Sequence, residues 1–198
     1  MDKSVADPVT DEELMLRYRN GDARAFEALY TRHKGPLYRY FLRLVRPAAV
    51  AEELFQDVWT GLIRARERYE VRAKFSTWLY RLAHNRLVDH YRRSAAQPPT
   101  VDDDPEQPLA EQVADAAWRE PESEFERRRL GQRLIELLHA LPPEQREVFL
   151  LREENGLSLE EIAAVTGVNV EAAKSRLRYA LAKLRAGLSA GETMRKSN

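Results

Sequence analysis

The sequence contains no cysteine, and this absence rules out disulfide bridges and thiolate-bound metals. Four histidines remain as possible soft ligands, and none has the HxxxH or HExxH spacing of a helical zinc site. We therefore expect no metal and no cofactor.

Long hydrophobic runs are also lacking. No stretch approaches the roughly 18 consecutive apolar residues that a membrane-spanning helix needs. Residues 1–11 are polar and acidic, unlike a secretory leader. We expect a cytoplasmic protein with no membrane insertion of its own.

An excess of charge of one sign is missing as well, because 32 Lys and Arg balance 32 Asp and Glu over the 198 residues. This balance is a cancellation between segments. Residues 11–93 carry a net charge of +6, residues 94–126 carry −9, and residues 127–187 carry +3. Two basic blocks, of the kind that face nucleic acid, therefore flank an acidic one.

The acidic block has the composition of a linker. It is rich in proline and carboxylates and holds few apolar residues that could stabilise an ordered structure. We expect a flexible tether over residues 95–126. The three aspartates at 102–104 lack the glycine-containing surroundings of a calcium loop, which favours a solvated loop over a cation site.

The segment before the linker is predicted to be helical throughout. Apolar residues recur at helical spacing over residues 14–45, where Pro36 is expected to kink or interrupt the helix and Pro47 to end it. Residues 51–66 form the most regular helix, with an apolar stripe that includes Ile63 and a polar face opposite.

A loop at residues 69–74 leads to a further predicted helix, residues 76–93. At 100° per residue, one outward stripe of this helix is cationic. Its members are Thr77, Arg81, His84, Asn85, Val88 and Arg92. We interpret His84 and His90 as polar surface residues.

The segment after the linker ends in a predicted helix-turn-helix. Ser158 and Glu161 have the spacing of a capping box, Gly167 lies in a tight turn, and Asn169 is placed to cap a last helix reaching about residue 188. The inward face of that helix is predicted to be Val170, Ala173, Leu177, Leu181 and Leu184.

The exposed arc of the last helix is suited to the major groove of DNA, where arginine and lysine reach guanine edges and phosphates. The candidate contacts are Lys174, Ser175, Arg176, Arg178 and Tyr179. Lys183 and Arg185 lie in the C-terminal half, so we interpret them as offsetting the helix dipole.

Six segments occur in the order typical of one family. They are DARAFEALY at residues 22–30, AEELFQDVW at 51–59, FSTWLYRLAHN at 75–85, LPPEQREVF at 141–149, SLEEIA at 158–163 and KSRL at 174–177. In these segments the chain resembles the extracytoplasmic-function sigma factors of bacterial RNA polymerase.

The resemblance implies an all-α chain of two small helical domains, sigma region 2 at residues 10–94 and sigma region 4 at residues 127–188. Region 2 would bind the clamp coiled coil of core RNA polymerase and read the minus-ten promoter element. Region 4 would read the minus-thirty-five element and bind the polymerase flap. Core polymerase, promoter DNA and an anti-sigma factor are the implied partners.

The same resemblance assigns two sets of site residues in region 2. The minus-ten set is Arg81, Asn85, Arg86, Arg92 and Arg93, with Asn85 beside a flipped base. The polymerase-binding set is Glu53, Gln56, Asp57 and Thr60. From the residues alone, the second set is equally consistent with an ordinary solvated helix face.

The sequence argues against two other classes of function. A free-standing helix-turn-helix regulator usually dimerises, and the sequence offers no dimerisation helix or ligand-binding domain. An enzyme acting on nucleic acid would need clustered carboxylates, a glycine-rich phosphate loop or a metal set, and the predicted helices offer none of these. We therefore expect a protein with no catalytic activity.

Overall fold

The computed structural model describes residues 9–96 and 121–196. Residues 97–120, which make up most of the predicted linker and include its aspartate run, lie outside that range. The described residues form α-helices joined by short turns, with no strand among them, which confirms the all-α prediction. The helices are α1 (Asp11–Arg19), α2 (Ala23–Leu44), α3 (Ala48–Ala65), α4 (Phe75–Ala96), α5 (Pro121–His139), α6 (Pro143–Glu153), α7 (Leu159–Thr166) and α8 (Val170–Lys196).

Helices α1 to α4 pack as the first domain. Thr10 caps α1 in a capping box with Glu13, and the Asp22 side chain caps α2. The core contains residues from all four helices that are almost completely buried, including Met15, Leu29, Phe41, Leu54, Leu62, Leu79 and Leu87. Phe26, Tyr30 and Trp59 form an aromatic cluster where α2 meets α3, with the rings of Tyr30 and Trp59 4.9 Å apart.

Of the kink or interruption predicted at Pro36, the interruption is wrong, because α2 is a single helix from Ala23 to Leu44. Leu37, Tyr40 and Phe41, which follow the proline, are all fully buried. Their packing compensates for the backbone hydrogen bond that proline cannot donate.

Helices α5 to α8 pack as the second domain around Leu138, Val148, Leu150, Ile162 and Leu184. Helix α5 begins at Pro121, inside the predicted linker. Proline suits a first helical position, and the glutamates that follow it favour a helix N-terminus. Helix α8 reaches Lys196, well beyond the predicted end.

The two domains are in contact. Helix α7 packs against α4, and helices α5 and α6 pack against α2. In the part of the chain that the structure describes, no helix is long and apolar enough to cross a membrane.

Candidate nucleic-acid interface

The loop between the first domain's last two helices is held at both of its ends. The Arg19 guanidinium donates a hydrogen bond to the carbonyl oxygen of Tyr69 at 3.0 Å, and the Glu12 carboxylate accepts one from the backbone N–H of Phe75 at 2.5 Å. Tyr69 and Phe75 are buried, and their burial anchors the chain. Residues 70–74 between them are exposed, so a fixed frame presents a short basic segment to solvent.

Burial raises the pKa of Tyr69 to about 12, and the nearby carboxylates of Glu12 and Asp11 add to the shift. The Tyr69 ring also packs edge-on against Trp78 at 5.0 Å. The half-buried Trp78 therefore supports the loop from the first turn of α4.

A groove of about 340 Å³ lies between this loop and the second domain. Cationic side chains dominate its polar lining, and one wall comes from α7. The lining residues are Arg68, Glu70, Arg72, Ala73, Thr77, Trp78, Arg81 and Ala164.

The predicted minus-ten residues do not all point to solvent. Arg81 and Asn85 are exposed on α4, while Arg86 is half-buried. The Arg86 guanidinium lies against Gly61 of α3, where a Cβ atom added to the glycine would be 3.6 Å from it. Arg92 and Arg93 are exposed near the end of α4. Arg92 is paired with Asp89 at 3.0 Å, and the Arg93 Nε donates to the Asp89 carbonyl at 3.4 Å.

Two members of the predicted outward stripe on α4 are not on the surface. Thr77 is 5% exposed, and His84 is hydrogen-bonded to Glu147 of the second domain. The periodicity of α4 identifies this face correctly, but α6 and α7 cover part of it. The prediction that His84 is a surface residue is therefore wrong.

The polar face of α3 is free over most of its length. Glu53, Gln56 and Thr60 are exposed, and Asp57 is half-buried. Ile63 follows Thr60 on the same face and is 41% exposed, so its predicted place in the apolar stripe is wrong. An exposed apolar residue beside polar ones is a composition that protein interfaces use.

His90 lies near this face, on α4. Its pKa is lowered, first by burial and then by Arg93, against an opposing effect of Glu53.

The helix-turn-helix forms as predicted. The Ser158 hydroxyl accepts the Glu161 backbone N–H at 3.2 Å, while the Glu161 carboxylate accepts the Ser158 backbone N–H at 2.7 Å. Gly167 has φ 70°, a left-handed conformation that favours glycine, and so ends α7. The Asn169 side chain caps α8 by accepting the Ala172 N–H at 2.7 Å.

The faces of α8 agree only in part with the prediction. Ala173 and Leu184 are buried, and Leu177 and Leu181 are half-buried. Val170 is 36% exposed, so the prediction that it faces inward is wrong, and the buried Ala180 was missed. Alanine is small enough to let two helices pack closely, but a prediction from hydrophobic periodicity gives more weight to larger side chains and so overlooks it.

At 100° per residue, Lys174, Ser175, Arg178 and Tyr179 share one side of α8, while Arg176 lies farther around the helix. Lys174, Arg178 and Tyr179 are exposed, and Ser175 and Arg176 are half-buried. The Arg178 guanidinium lies over the Tyr179 ring at 5.1 Å, and the Lys174 ammonium lies 3.8 Å from Glu171. This side of α8 presents cationic and hydroxyl groups that can reach a phosphate or a base edge.

Comparison with known proteins bears on both domains. The family model described as Sigma-70 region 2 matches residues 29–97, and the model described as Sigma-70, region 4 matches residues 131–184. The chain is 32% identical to the RNA polymerase sigma factor CarQ of Myxococcus xanthus over 86% of this chain and 93% of that protein. It is 30% identical to the ECF RNA polymerase sigma-E factor of Escherichia coli (strain K12) over 87% of this chain and 91% of that protein.

Two solved structures share the fold. CnrH, in complex with the cytosolic domain of CnrY, has a TM-score of 0.64 and 27% identity, covering 91% of this chain and 97% of that chain. The sigma factor RpoE of Bartonella quintana, in complex with the anti-sigma factor NepR, also has a TM-score of 0.64. Its identity is 20%, over 84% of this chain and 98% of that chain.

Proposed function

Because this chain belongs to the ECF type of sigma-70 RNA polymerase sigma factors, we propose that its two helical domains divide promoter recognition between them. The first domain takes the minus-ten element and the second takes the minus-thirty-five element. The chain confers promoter specificity on core polymerase and carries out no chemistry itself. Its place of action is the cytoplasm.

The observation that carries the minus-ten assignment is the anchored loop at residues 70–74. Its buried ends hold Arg72 and Lys74 just before α4, the helix that carries Arg81 and Asn85, and Arg72 and Arg81 line the same groove. Arginine and lysine follow the backbone of a single strand. The Asn85 amide both donates and accepts, as recognition of an unstacked base requires.

The minus-thirty-five assignment rests on α8. A recognition helix meets base edges with its N-terminal turns, and Lys174, Ser175, Arg176 and Arg178 all lie in the first half of α8. Ser175 and Arg176 are partly covered, so we assign the most direct contacts to Lys174, Arg178 and Tyr179.

Polymerase binding is assigned to the exposed face of α3. Glu53, Gln56, Asp57 and Thr60 supply polar contacts with the clamp coiled coil, and Ile63 adds apolar area. The second domain would sit on the polymerase flap. Because CnrH and RpoE were both solved with a bound partner, and that of RpoE is an anti-sigma factor, we also propose an anti-sigma factor as a partner of this chain.

A binding measurement with core polymerase tests this function. The purified chain is titrated into fluorescently labelled core enzyme, and we expect saturable one-to-one binding. Glu53→Lys reverses a charge on the α3 face and should weaken binding at least about tenfold, since like charges across an interface are strongly unfavourable. Glu27→Lys makes the same change at an exposed position of α2 and serves as the matched control.

Absence of binding by the natural chain would contradict the proposal. Equal losses of affinity in the two variants would show that the polymerase contact does not lie on α3. Tight, sequence-specific DNA binding by a dimer without polymerase would instead favour a free-standing regulator.

A further inference from the structure

Two side chains of α1 hold the two ends of the anchored loop. The Arg19 guanidinium donates to the Tyr69 carbonyl oxygen at 3.0 Å, and the Glu12 carboxylate accepts the Phe75 backbone N–H at 2.5 Å. Positions 12 and 19 are about two helical turns apart, so both side chains leave the same side of α1. One helix face therefore contacts the loop where it begins and where it ends.

Glu12 completes the N-terminus of α4. This helix begins at Phe75, and the first backbone N–H groups of a helix have no partner within it. The residue before it is Lys74, whose ammonium can only donate and so cannot cap the helix. Glu12 supplies the acceptor from another helix, and its negative charge lies at the favourable end of the α4 dipole. A residue remote in sequence thus defines the end of the loop.

Arg19 defines the beginning of the loop in the same manner. A turn of 3-10 helix, Arg66–Arg68, follows α3 and is capped by Tyr69. A carbonyl at a helix C-terminus has no partner within the helix, and a guanidinium from another element can satisfy it. The Arg66 guanidinium also lies over the Tyr18 ring at 5.6 Å, which joins this turn to α1 a second time.

Helix α1 is itself fixed to the rest of the first domain, so it can act as a rigid support. Its residues Met15 and Tyr18 are buried in the core. The Asp11 carboxylate lies 2.7 Å from the Arg32 guanidinium and 2.6 Å from Nε2 of His33, both on α2. The loop therefore takes its position from α2 through α1.

The charges of Glu12 and Arg19 also suit the dipole of α1 itself, because one lies in its first turn and the other in its last. That role does not explain their contacts. Glu13 and Arg17 carry the same charges at the same two ends of α1, and Glu13 forms the capping box with Thr10. The hydrogen bonds to the loop are what distinguish Glu12 and Arg19.

We propose that Glu12 and Arg19 are positioning residues for minus-ten recognition, which set the base preference of the anchored loop through its backbone. Recognition depends on groups held within about 0.5 Å of the productive geometry, so loss of either hydrogen bond weakens discrimination between bases. This inference rests on the proposed reading of the minus-ten element by the first domain. The anchoring of the loop, however, can be measured in the free chain.

The first test measures the mobility of the loop. The chain has no native cysteine, and Val71 in the loop is 53% exposed, so Val71→Cys accepts a single nitroxide label. We expect an electron spin resonance spectrum of restricted motion in the otherwise natural chain. Glu12→Ala and Arg19→Ala should each add a mobile component, because each leaves one end of the loop without its hydrogen bond.

The second test measures base preference. Core polymerase with each unlabelled variant selects from a pool of duplexes of randomised sequence, and the bound duplexes are sequenced. We expect each alanine variant to lower the preference for the favoured minus-ten bases about threefold to tenfold, as one lost hydrogen bond does. The minus-thirty-five motif and the affinity for core polymerase should stay unchanged.

Conservative variants separate positioning from a general loss of structure. Glu12→Gln keeps an acceptor oxygen and Arg19→Lys keeps a donor, so each should restore most of the restricted motion and of the base preference. Arg17→Ala removes an exposed cation on the opposite side of α1, two residues from Arg19, and should change neither. Circular dichroism checks that every variant keeps its helix content.

Unchanged label motion in both alanine variants would overturn the proposal. So would a mobile loop with an unchanged minus-ten preference. A uniform loss of affinity on all sequences in Arg19→Ala would assign Arg19 to a DNA phosphate instead. If the natural holoenzyme enriches no motif, the proposed function fails and the specificity role with it, while the label still reports whether α1 anchors the loop.

Discussion

At the scale of single residues, His139 lies in an unusual environment. Burial lowers its pKa to about 4, and the nearby cations of Arg46, Arg146 and Arg43 add to the shift. Its Nδ1 lies 3.3 Å from the Arg146 guanidinium, which can only donate. Nδ1 is therefore the acceptor, and the neutral ring carries its proton on Nε2.

This environment predicts a loss of stability in mild acid. The ordinary pKa of histidine is 6.5, so the unfolded chain takes up a proton at His139 before the folded chain does. Stability contributed by the neutral ring is complete above about pH 6.5 and falls as the pH drops toward 4. His139→Asn keeps an acceptor at the position of Nδ1 and does not titrate.

The measurement is urea unfolding of both proteins at pH 7.5, 6.0 and 5.0. We expect the natural chain to lose more stability than His139→Asn between the first and last of these values. Parallel losses in the two proteins would show that folding does not change the pKa of His139, and would contradict the lowered pKa.

Whether the prediction for a residue was correct depended on how near its structural partners lie in the sequence. The caps by Ser158 and Asn169 and the turn at Gly167 are local, so the sequence predicted them correctly. The hydrogen-bond partner of His84 is Glu147, which lies on a helix far along the chain. Periodicity reports which side of a helix a residue occupies, but not which other element covers that side.

At the scale of helices, α8 offers a direct comparison of two cationic positions. Arg178 lies on the proposed reading side, whereas Lys183 lies farther along the helix. Both side chains are exposed, so truncating either one removes little packing.

We expect Arg178→Ala to weaken binding to promoter DNA by about 1–3 kcal/mol if the side chain contacts a base. Lys183→Ala should change binding by much less. Fluorescence anisotropy of polymerase holoenzyme on duplexes with altered minus-thirty-five bases checks this. Equal loss on every duplex would mean that Arg178 contacts a phosphate, and no loss on any duplex would remove it from the interface.

Helix existence and order were predictable, while helix ends and exact faces were less so. Pro36 did not interrupt α2 because buried residues follow it, and α5 began earlier than composition indicated. Ile63 and Val170 are large apolar residues that single-helix periodicity assigns to the core. Their exposure is a property of the assembled domain, which the sequence of one helix does not contain.

At the scale of the whole molecule, the zero net charge is the sum of segments with opposite charge. Two domains with a net positive charge are separated by an acidic segment, and cationic groups of the first domain contact acidic groups of the second. Arg43 and Lys74 of the first domain and Arg146 of the second take part in contacts between the domains. The same positive charge that would attract DNA therefore also holds the domains together.

We propose that this one chain directs core polymerase to promoters through two separate elements. The most direct measurement is transcription of sheared genomic DNA from the host, by its core polymerase with and without the purified chain, followed by sequencing of transcript 5′ ends. We expect new start sites that share two upstream motifs at a constant spacing, and we expect these start sites to be lost when the second domain is removed. No new start sites, or start sites that share a single motif and survive that removal, would contradict it.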